Sequence, residues 1–196
     1  MKKSLALSIF LLAFINGGVF AQSQNPITWA MAVNKWVGSE YQDFSPLLPI
    51  NMKSGDEYYI YIKSDSPGYC YVIQQDPNEA LSVLFAGPFT VGEPLLIMED
   101  VKNGMDFTVP AGTGNLRYYV VVSSTPRPNL GTGQNLTGAQ RTAVNREILA
   151  IRNSLSSITE ARERQVVIAA GVRGESTTVY QYEGQDTYVR TVNINY

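Results

Sequence analysis

Short stretches of alternating apolar and polar residues predict β-strands along most of the chain. The first, ITWAMAVNKWV at residues 27–37, predicts a strand with Trp29 and Trp36 on opposite faces, because side chains alternate along a strand. The following residues, 38–57, carry two prolines and several turn-forming residues. We therefore expect this segment to be a loop that crosses between layers.

Three more strands are predicted to form a meander. The even-numbered face of EYYIYIKS at residues 57–64 is the better candidate for the core. A hairpin turn at residues 67–68 leads to YCYVIQQ at 69–75, and the turn DPNE leads to ALSVLF at 80–85.

Further strands follow at short, regular intervals. The near-continuous apolar run LRYYVVVSS at residues 116–124 predicts a strand buried on both faces. The other predicted strands are LLIM, MDFTVP, QVVIAAGV, STTVYQYEG and TYVRTVNINY. Strands this short and this evenly punctuated predict an antiparallel β-sandwich, which makes the chain mainly β.

One amphipathic α-helix interrupts the strands at about residues 137–160. Thr137 and Gln140 have the spacing of a capping box, in which each side chain satisfies a free backbone N–H at the helix start. Apolar residues then recur three and four positions apart, at Val144, Ile148, Ile151, Leu155 and Ile158. We expect a helical insertion at about 137–162 that covers a sheet face or closes one end of the sandwich.

The first 21 residues read as a secretory signal peptide. Lys2 and Lys3 precede a short apolar run, and small residues precede an expected cleavage site after Ala21. The remaining residues, 22–196, have the length of a single domain and contain no long apolar segment that predicts a transmembrane helix. A lipoprotein would require a cysteine directly after the cleavage site, and that position is Gln22. The predicted location is therefore the periplasm or the cell exterior.

Composition narrows the chemistry. Loss of two lysines with the signal peptide leaves 13 basic against 17 acidic residues, so the net charge falls from −2 to −4, and no nucleic-acid partner is expected. The chain has no histidine, the commonest general base and metal ligand. It has one cysteine, so no internal disulfide can form.

Several motifs suggest chemistry but have simpler interpretations. Cys70 lies within a predicted strand with no nearby cation to lower its pKa, so we interpret it as a buried strand residue. The glycine-rich segment 131–140 lacks the lysine of a phosphate loop and the third glycine of a dinucleotide fold. The acidic turns at 76–79 and 99–106 lack the alternating Asp and Asn ligands of a calcium-binding loop. No cofactor and no metal site is predicted.

Two groups of side chains remain candidates, one for ligand binding and one for catalysis. Trp29 and Trp36 are the candidates for stacking on a ligand such as a sugar ring, against the alternative that both belong to the core or its rim. A pair of carboxylates could serve a glycoside hydrolase. The acids considered for that role are Asp65, Asp76, Glu79 and Asp106, and nothing in the sequence brings two of them together.

Residues 55–129 resemble the bacterial family known as domain of unknown function 4384. The resemblance rests on GDEYYIYIKSDSPGYCYVIQQDPNEALSVLF and MDFTVPAGTGNLRYYVVVSSTPRPNL. The matching positions are Gly55-Asp56, Tyr69 to Val72, Asp76, Leu84-Phe85, Gly114, Ser123 and Pro126. Glu79-Ala80 and Ala86-Gly87 depart from the pattern of the family. The resemblance implies an exported β-sandwich module and assigns no catalytic residue.

The sequence therefore predicts an exported, non-catalytic binding or assembly module of the bacterial cell envelope, whose partner is an unknown envelope protein or a glycan. Recognition of carbohydrate or peptidoglycan through exposed aromatic side chains is the alternative. A glycoside hydrolase with paired acids is a weaker one.

Overall fold

The structure is a computed structural model that describes residues 27–131, 136–155, 164–168, 177–184 and 186–196. The predicted signal peptide, the end of the predicted helix at 156–162 and residues 132–135 of the glycine-rich segment lie outside the described residues. Within the described ranges, no helix combines the length and apolar character needed to cross a bilayer.

The described residues form twelve strands and two helical segments. The strands are β1 (Ile27–Val37), β2 (Glu40–Phe44), β3 (Ile50–Asn51), β4 (Glu57–Ser64), β5 (Tyr69–Gln75), β6 (Leu81–Pro88), β7 (Pro94–Ile97), β8 (Phe107–Thr108), β9 (Asn115–Ser123), β10 (Arg164–Ile168), β11 (Thr177–Gly184) and β12 (Thr187–Asn195). The helix α1 spans Gly138–Leu155, and one turn of 3-10 helix, Pro128–Leu130, precedes it.

These strands form two sheets. Sheet A has the order β10-β11-β1-β4-β7, with β2 beside the second half of β1 and β8 beside the start of β4. Sheet B has the order β3-β12-β9-β5-β6, and every pair is antiparallel except the short parallel pairing of β3 with β12. The predicted class, a mainly β sandwich with one amphipathic helix, is confirmed.

The main core lies between the two sheets. Alternation along β1 directs Trp29, Met31 and Val33 into it, together with the even-numbered face of β4, as predicted. The hydroxyl groups of Tyr58 on β4 and Tyr118 on β9 lie 2.5 Å apart in this core. One of these hydroxyls donates to the other, and the side-chain amide of Gln74 donates to the Tyr118 hydroxyl over 2.9 Å. Because both hydroxyls are hydrogen-bonded, the two tyrosines can be buried where the sheets meet.

A second core lies on the outer side of sheet B. There α1 packs Val144, Ile148 and Ile151 against Tyr119 and Val121 of β9. The alternate residues of β9 face the main core, so this strand is buried on both faces, as its apolar run predicts. The helix thus covers a sheet face, one of the two placements expected from the sequence.

The start of α1 keeps part of the predicted capping box. The backbone N–H of Thr137 donates to Gln140 Oε1 over 2.9 Å, as a capping box requires. The Thr137 hydroxyl, however, donates to the same oxygen over 2.8 Å and does not accept from the helix. Of the two capping hydrogen bonds predicted, the described contacts therefore include the one that Gln140 accepts from the backbone of Thr137.

The predicted three-stranded meander is right at its second turn and wrong at its first. β5 and β6 pair antiparallel across the turn at 76–79, as predicted, but β4 does not pair with β5. β4 belongs to sheet A and β5 to sheet B, so the Pro67-Gly68 segment carries the chain between sheets and is not a hairpin turn. A Cβ atom at Gly68 would lie 2.9 Å from the carbonyl oxygen of Ser123, so this crossing needs glycine where two backbones meet. Tyr59 and Tyr61 are also buried, which removes the polar face that a strand in such a meander would show.

The predicted loop at residues 38–57 contains two strands. β2 forms a hairpin with β1 around Gly38, whose φ of 67° lies in the left-handed region that glycine adopts without strain. β3 then crosses to pair with β12 at the edge of sheet B. Through this hairpin, β2 adds a strand to sheet A beside Trp36.

Candidate functional site

One row of side chains crosses the outer face of sheet A. The β1–β2 register places Trp36 opposite Tyr41, and the β4–β8 register places Glu57 opposite Thr108. The β1–β4 register, extended by one position, brings Trp36 beside Glu57. Side chains directly opposite on neighbouring strands have Cβ atoms about 5 Å apart. Four strands therefore bring these four side chains together.

The β7–β8 loop forms a wall beside this row. A bridge between Asp100 and Met105 closes the loop, and Gly104 adopts a φ of 67° within it. The side-chain amide of Asn103 donates to Asp100 Oδ2 over 2.6 Å, and this hydrogen bond holds the pKa of the Asp100 carboxyl below its usual value. The closed loop sets Met105 and Asp106 next to the row.

Trp36 is held in place by its neighbours. Its ring meets the ring of Tyr41 edge to face, with centroids 4.9 Å apart, and Tyr41 meets Tyr59 in the same way at 5.0 Å. The Tyr41 hydroxyl donates to Asp106 Oδ2 over 2.5 Å. Tyr59 is buried, whereas Trp36 keeps 37% of its surface exposed. An anchored aromatic ring thus borders on solvent.

These residues line an open pocket of about 320 Å³ at the surface, which we call the Trp36 pocket. Its lining residues are Trp36, Tyr41, Glu57, Gly104, Met105, Asp106 and Thr108. The volume lies at the lower end of the range for small-ligand sites, roughly 300–1,000 Å³. It suits a single side-chain group or one sugar ring. The described lining combines aromatic faces, a thioether and two carboxylates.

The two candidate tryptophans have different environments. Trp29 is 1% exposed and stacks on Tyr182 with ring centroids 4.6 Å apart. A ring with so little exposed surface cannot present a face to a ligand, so the structure removes Trp29 from the candidate ligand surface. Trp36, on the other face of β1, lines the pocket.

Of the four candidate acids, Asp106 lines the Trp36 pocket. Asp65 lies 3.6 Å from the ammonium of Lys63, and Asp76 accepts backbone hydrogen bonds within its own turn. Glu79 follows in that turn with a φ of 62°. The second carboxylate of the pocket is Glu57, which does not belong to the predicted set.

Cys70 is fully buried in the main core, as predicted. Burial raises the pKa of its thiol far above the ordinary value, because the charged thiolate would lose its water. Within the described ranges, no group of three or more Cys, Asp or Glu side chains is placed to hold a metal ion. The Trp36 pocket is therefore the site that the described geometry supports.

Comparison of the chain with protein-family models, with curated proteins and with solved structures found no match. The resemblance of residues 55–129 to domain of unknown function 4384 accordingly stays a prediction from the sequence.

Proposed function

We propose that this protein is a non-catalytic binding module of the bacterial cell envelope and that it takes its ligand in the Trp36 pocket. The observation that carries the proposal is the Trp36 ring, which is 37% exposed at a pocket and is fixed there by the half-buried Tyr41, itself packed on the buried Tyr59. The envelope location rests on the signal peptide that the sequence predicts.

Rigidity supports a binding role. The Trp36 ring rests on Tyr41, and Tyr41 is held by both Tyr59 and Asp106. A side chain that is already ordered loses little conformational entropy when a ligand arrives, so more of the contact energy appears as affinity. Three strands of one sheet and a closed loop hold these groups, and such a scaffold keeps the pocket formed without ligand.

The absence of histidine from the sequence supports the non-catalytic part of the proposal. Histidine is the residue that most often transfers protons in active sites and activates serine or cysteine nucleophiles. The thiol of the chain is buried in the main core, so it cannot reach a substrate in the pocket.

Glycan recognition is a second candidate function. It is favoured by the row of Trp36, Glu57 and Thr108, since a sugar ring stacks on an aromatic face and offers hydroxyls to carboxylate and hydroxyl groups. A glycoside hydrolase, the weaker alternative, would use Glu57 and Asp106 as its carboxylate pair.

The test compares the wild-type protein with Trp36→Ala in retention of material from an envelope extract and of isolated peptidoglycan. Leu48→Ala is the matched control, because Leu48 is 70% exposed and does not line the pocket. We expect Trp36→Ala to lose the retained component and Leu48→Ala to keep it. Equal retention by all three proteins would show that the ligand does not occupy this pocket.

The non-catalytic part has its own test. Wild-type protein is incubated with peptidoglycan and soluble glycans, and the products are separated by chromatography. We expect no new product. Product formation that disappears in Glu57→Gln or Asp106→Asn would establish the hydrolase and overturn the binding-module proposal.

A further inference from the structure

We propose that the Trp36 pocket recognises a cationic nitrogen group, an ammonium or a guanidinium. This inference rests on the proposed function, since it names the ligand chemistry of the same pocket. It follows from three features of the described lining: its charge, its hydrogen-bonding groups and its aromatic ring.

The described lining of the pocket carries negative charge. Glu57 and Asp106 line it, and no lysine or arginine is among its described lining residues. Glu57 is exposed, and among the described residues the structure records no ion pair and no hydrogen bond for its side chain. A carboxylate without a counter-charge, set against an aromatic wall, attracts a cation from solution.

The described lysines near the pocket do not line it. Lys35 precedes Trp36 on β1, so it lies on the opposite face of the strand, where it pairs with Asp56. Lys63 pairs with Asp65 at the other end of β4. Lys102, at the exposed tip of the β7–β8 loop, does not line the pocket. Among the described residues, therefore, no lysine lines the pocket beside Glu57.

The hydrogen-bonding groups favour a ligand rich in donors. Carboxylates accept hydrogen bonds and do not donate them, and two of the lining side chains are carboxylates. The Tyr41 hydroxyl already donates to Asp106. A neutral sugar hydroxyl needs both a donor and an acceptor to be satisfied, whereas an ammonium offers three donors and a guanidinium five. The cation thus matches the lining better.

The aromatic ring adds to the selection. A cation within about 6 Å of an indole centroid is attracted by the electron-rich face of the ring, and tryptophan is the strongest of the aromatic residues in this respect. Trp36 provides that ring beside Glu57. A group held by both would gain ion pairing and cation–π attraction at one place.

The experiment measures binding of small probes by intrinsic tryptophan fluorescence. Nα-acetyl-lysine methylamide and Nα-acetyl-arginine methylamide are the cationic probes, and Nα-acetyl-norleucine methylamide is the neutral probe of similar shape. The Trp36→Phe variant retains Trp29 and gives the background signal. We expect saturable binding of both cationic probes, weaker binding at high salt, and no saturation with the norleucine probe.

Two variants test whether the carboxylate of Glu57 contributes to binding without a change in the fold. Glu57→Gln removes the exposed carboxylate of the pocket, and we expect about a tenfold loss of affinity for the cationic probes, the size of a charge-assisted contact. Glu93→Gln is the matched control, because Glu93 is exposed and does not line the pocket. Far-UV circular dichroism and thermal melting check that both variants are folded.

The outcomes distinguish this inference from the proposed function. Equal affinity for the lysine and norleucine probes, or an unchanged affinity in Glu57→Gln, overturns the cation assignment. Binding of N-acetylglucosamine that is lost in Trp36→Ala, without binding of cations, leaves the pocket as a ligand site and refutes its cationic ligand. A preference for glucosamine over both N-acetylglucosamine and the lysine probe supports the cation and assigns its source to an amino sugar.

Discussion

At the residue scale, the sole cysteine shows how burial suppresses reactivity. Cys70 has no exposed surface, and burial raises the pKa of its thiol. Since the thiolate is the reactive form, we expect negligible labelling by a thiol reagent in the folded protein and rapid, stoichiometric labelling in denaturant. Rapid labelling without denaturant would show that the core around Cys70 opens easily.

A second residue-scale prediction concerns Asp56. Burial alone would raise the pKa of its carboxyl, but hydrogen bonds from the Lys35 ammonium and from the backbone N–H of Lys53 outweigh it and hold the pKa below 3.8. The folded state therefore binds its proton less tightly than the unfolded state does. The contribution of Asp56 to the free energy of unfolding is therefore fully present well above pH 3.8. It is lost as the pH falls through the lower pKa of Asp56 in the folded state.

The Asp56→Asn variant removes this effect. We expect its free energy of unfolding at neutral pH to fall by about 1–2 kcal/mol, the size of a charged hydrogen-bond network with small exposure. Urea titrations at neutral pH and at a pH below 3.8 should show a smaller acid-induced loss in the variant than in the wild type. An identical pH dependence in both proteins would contradict the role assigned to the Lys35–Asp56 pair.

At the element scale, α1 is held by its apolar stripe. Ile148 is 3% exposed and packs on the outer side of sheet B, whereas its neighbour Leu149 is 55% exposed. We expect Ile148→Ala to lower the free energy of unfolding by about 2–5 kcal/mol through loss of burial and a cavity.

The Leu149→Ala variant is the matched control for the helix. Both substitutions replace a four-carbon side chain by alanine within the same turns, so helix propensity changes little between them. We expect the control to stay within about 0.5 kcal/mol of the wild type in urea denaturation. Equal losses in the two variants would mean that the stripe does not anchor the helix to sheet B.

How far the sequence predicts these elements depends on how local the signal is. The two-sided burial of β9 and the apolar stripe of α1 are visible as runs and periods within one segment. The burial of β9 is confirmed, and so is the stripe at Val144, Ile148 and Ile151, the positions whose side chains the structure describes. The first turn of the meander was wrong because a turn rich in Pro and Gly is compatible both with a hairpin and with a crossing between sheets. Sheet membership is decided by partners far along the chain.

For the same reason, the sequence alone could not predict the Trp36 pocket. Trp36 could be proposed as a candidate from its residue type and its face of β1. Glu57 and Thr108 come beside it through strand register, and Tyr41 through a hairpin within a segment that reads as a loop. Register is a property of paired strands, so a single strand's pattern does not specify it.

At the scale of the whole molecule, the chain passes repeatedly between the two sheets. β1 and β4 lie in sheet A, yet β3 and β5, on either side of β4 in sequence, lie in sheet B. β1 also pairs with β11 near the other end of the described chain. No contiguous stretch can therefore complete either sheet or the core between them, and this interdependence predicts that both sheets unfold together.

Denaturation of the Trp36→Phe variant tests that cooperativity, because its fluorescence comes from Trp29 alone. Trp29 is buried between the sheets, so its emission reports on the main core, while far-UV circular dichroism also reports on α1 outside sheet B. We expect one transition in urea with coincident midpoints by both probes, since loss of either sheet exposes the shared core. A separate, earlier change in circular dichroism would instead show that α1 melts from the sandwich as its own unit.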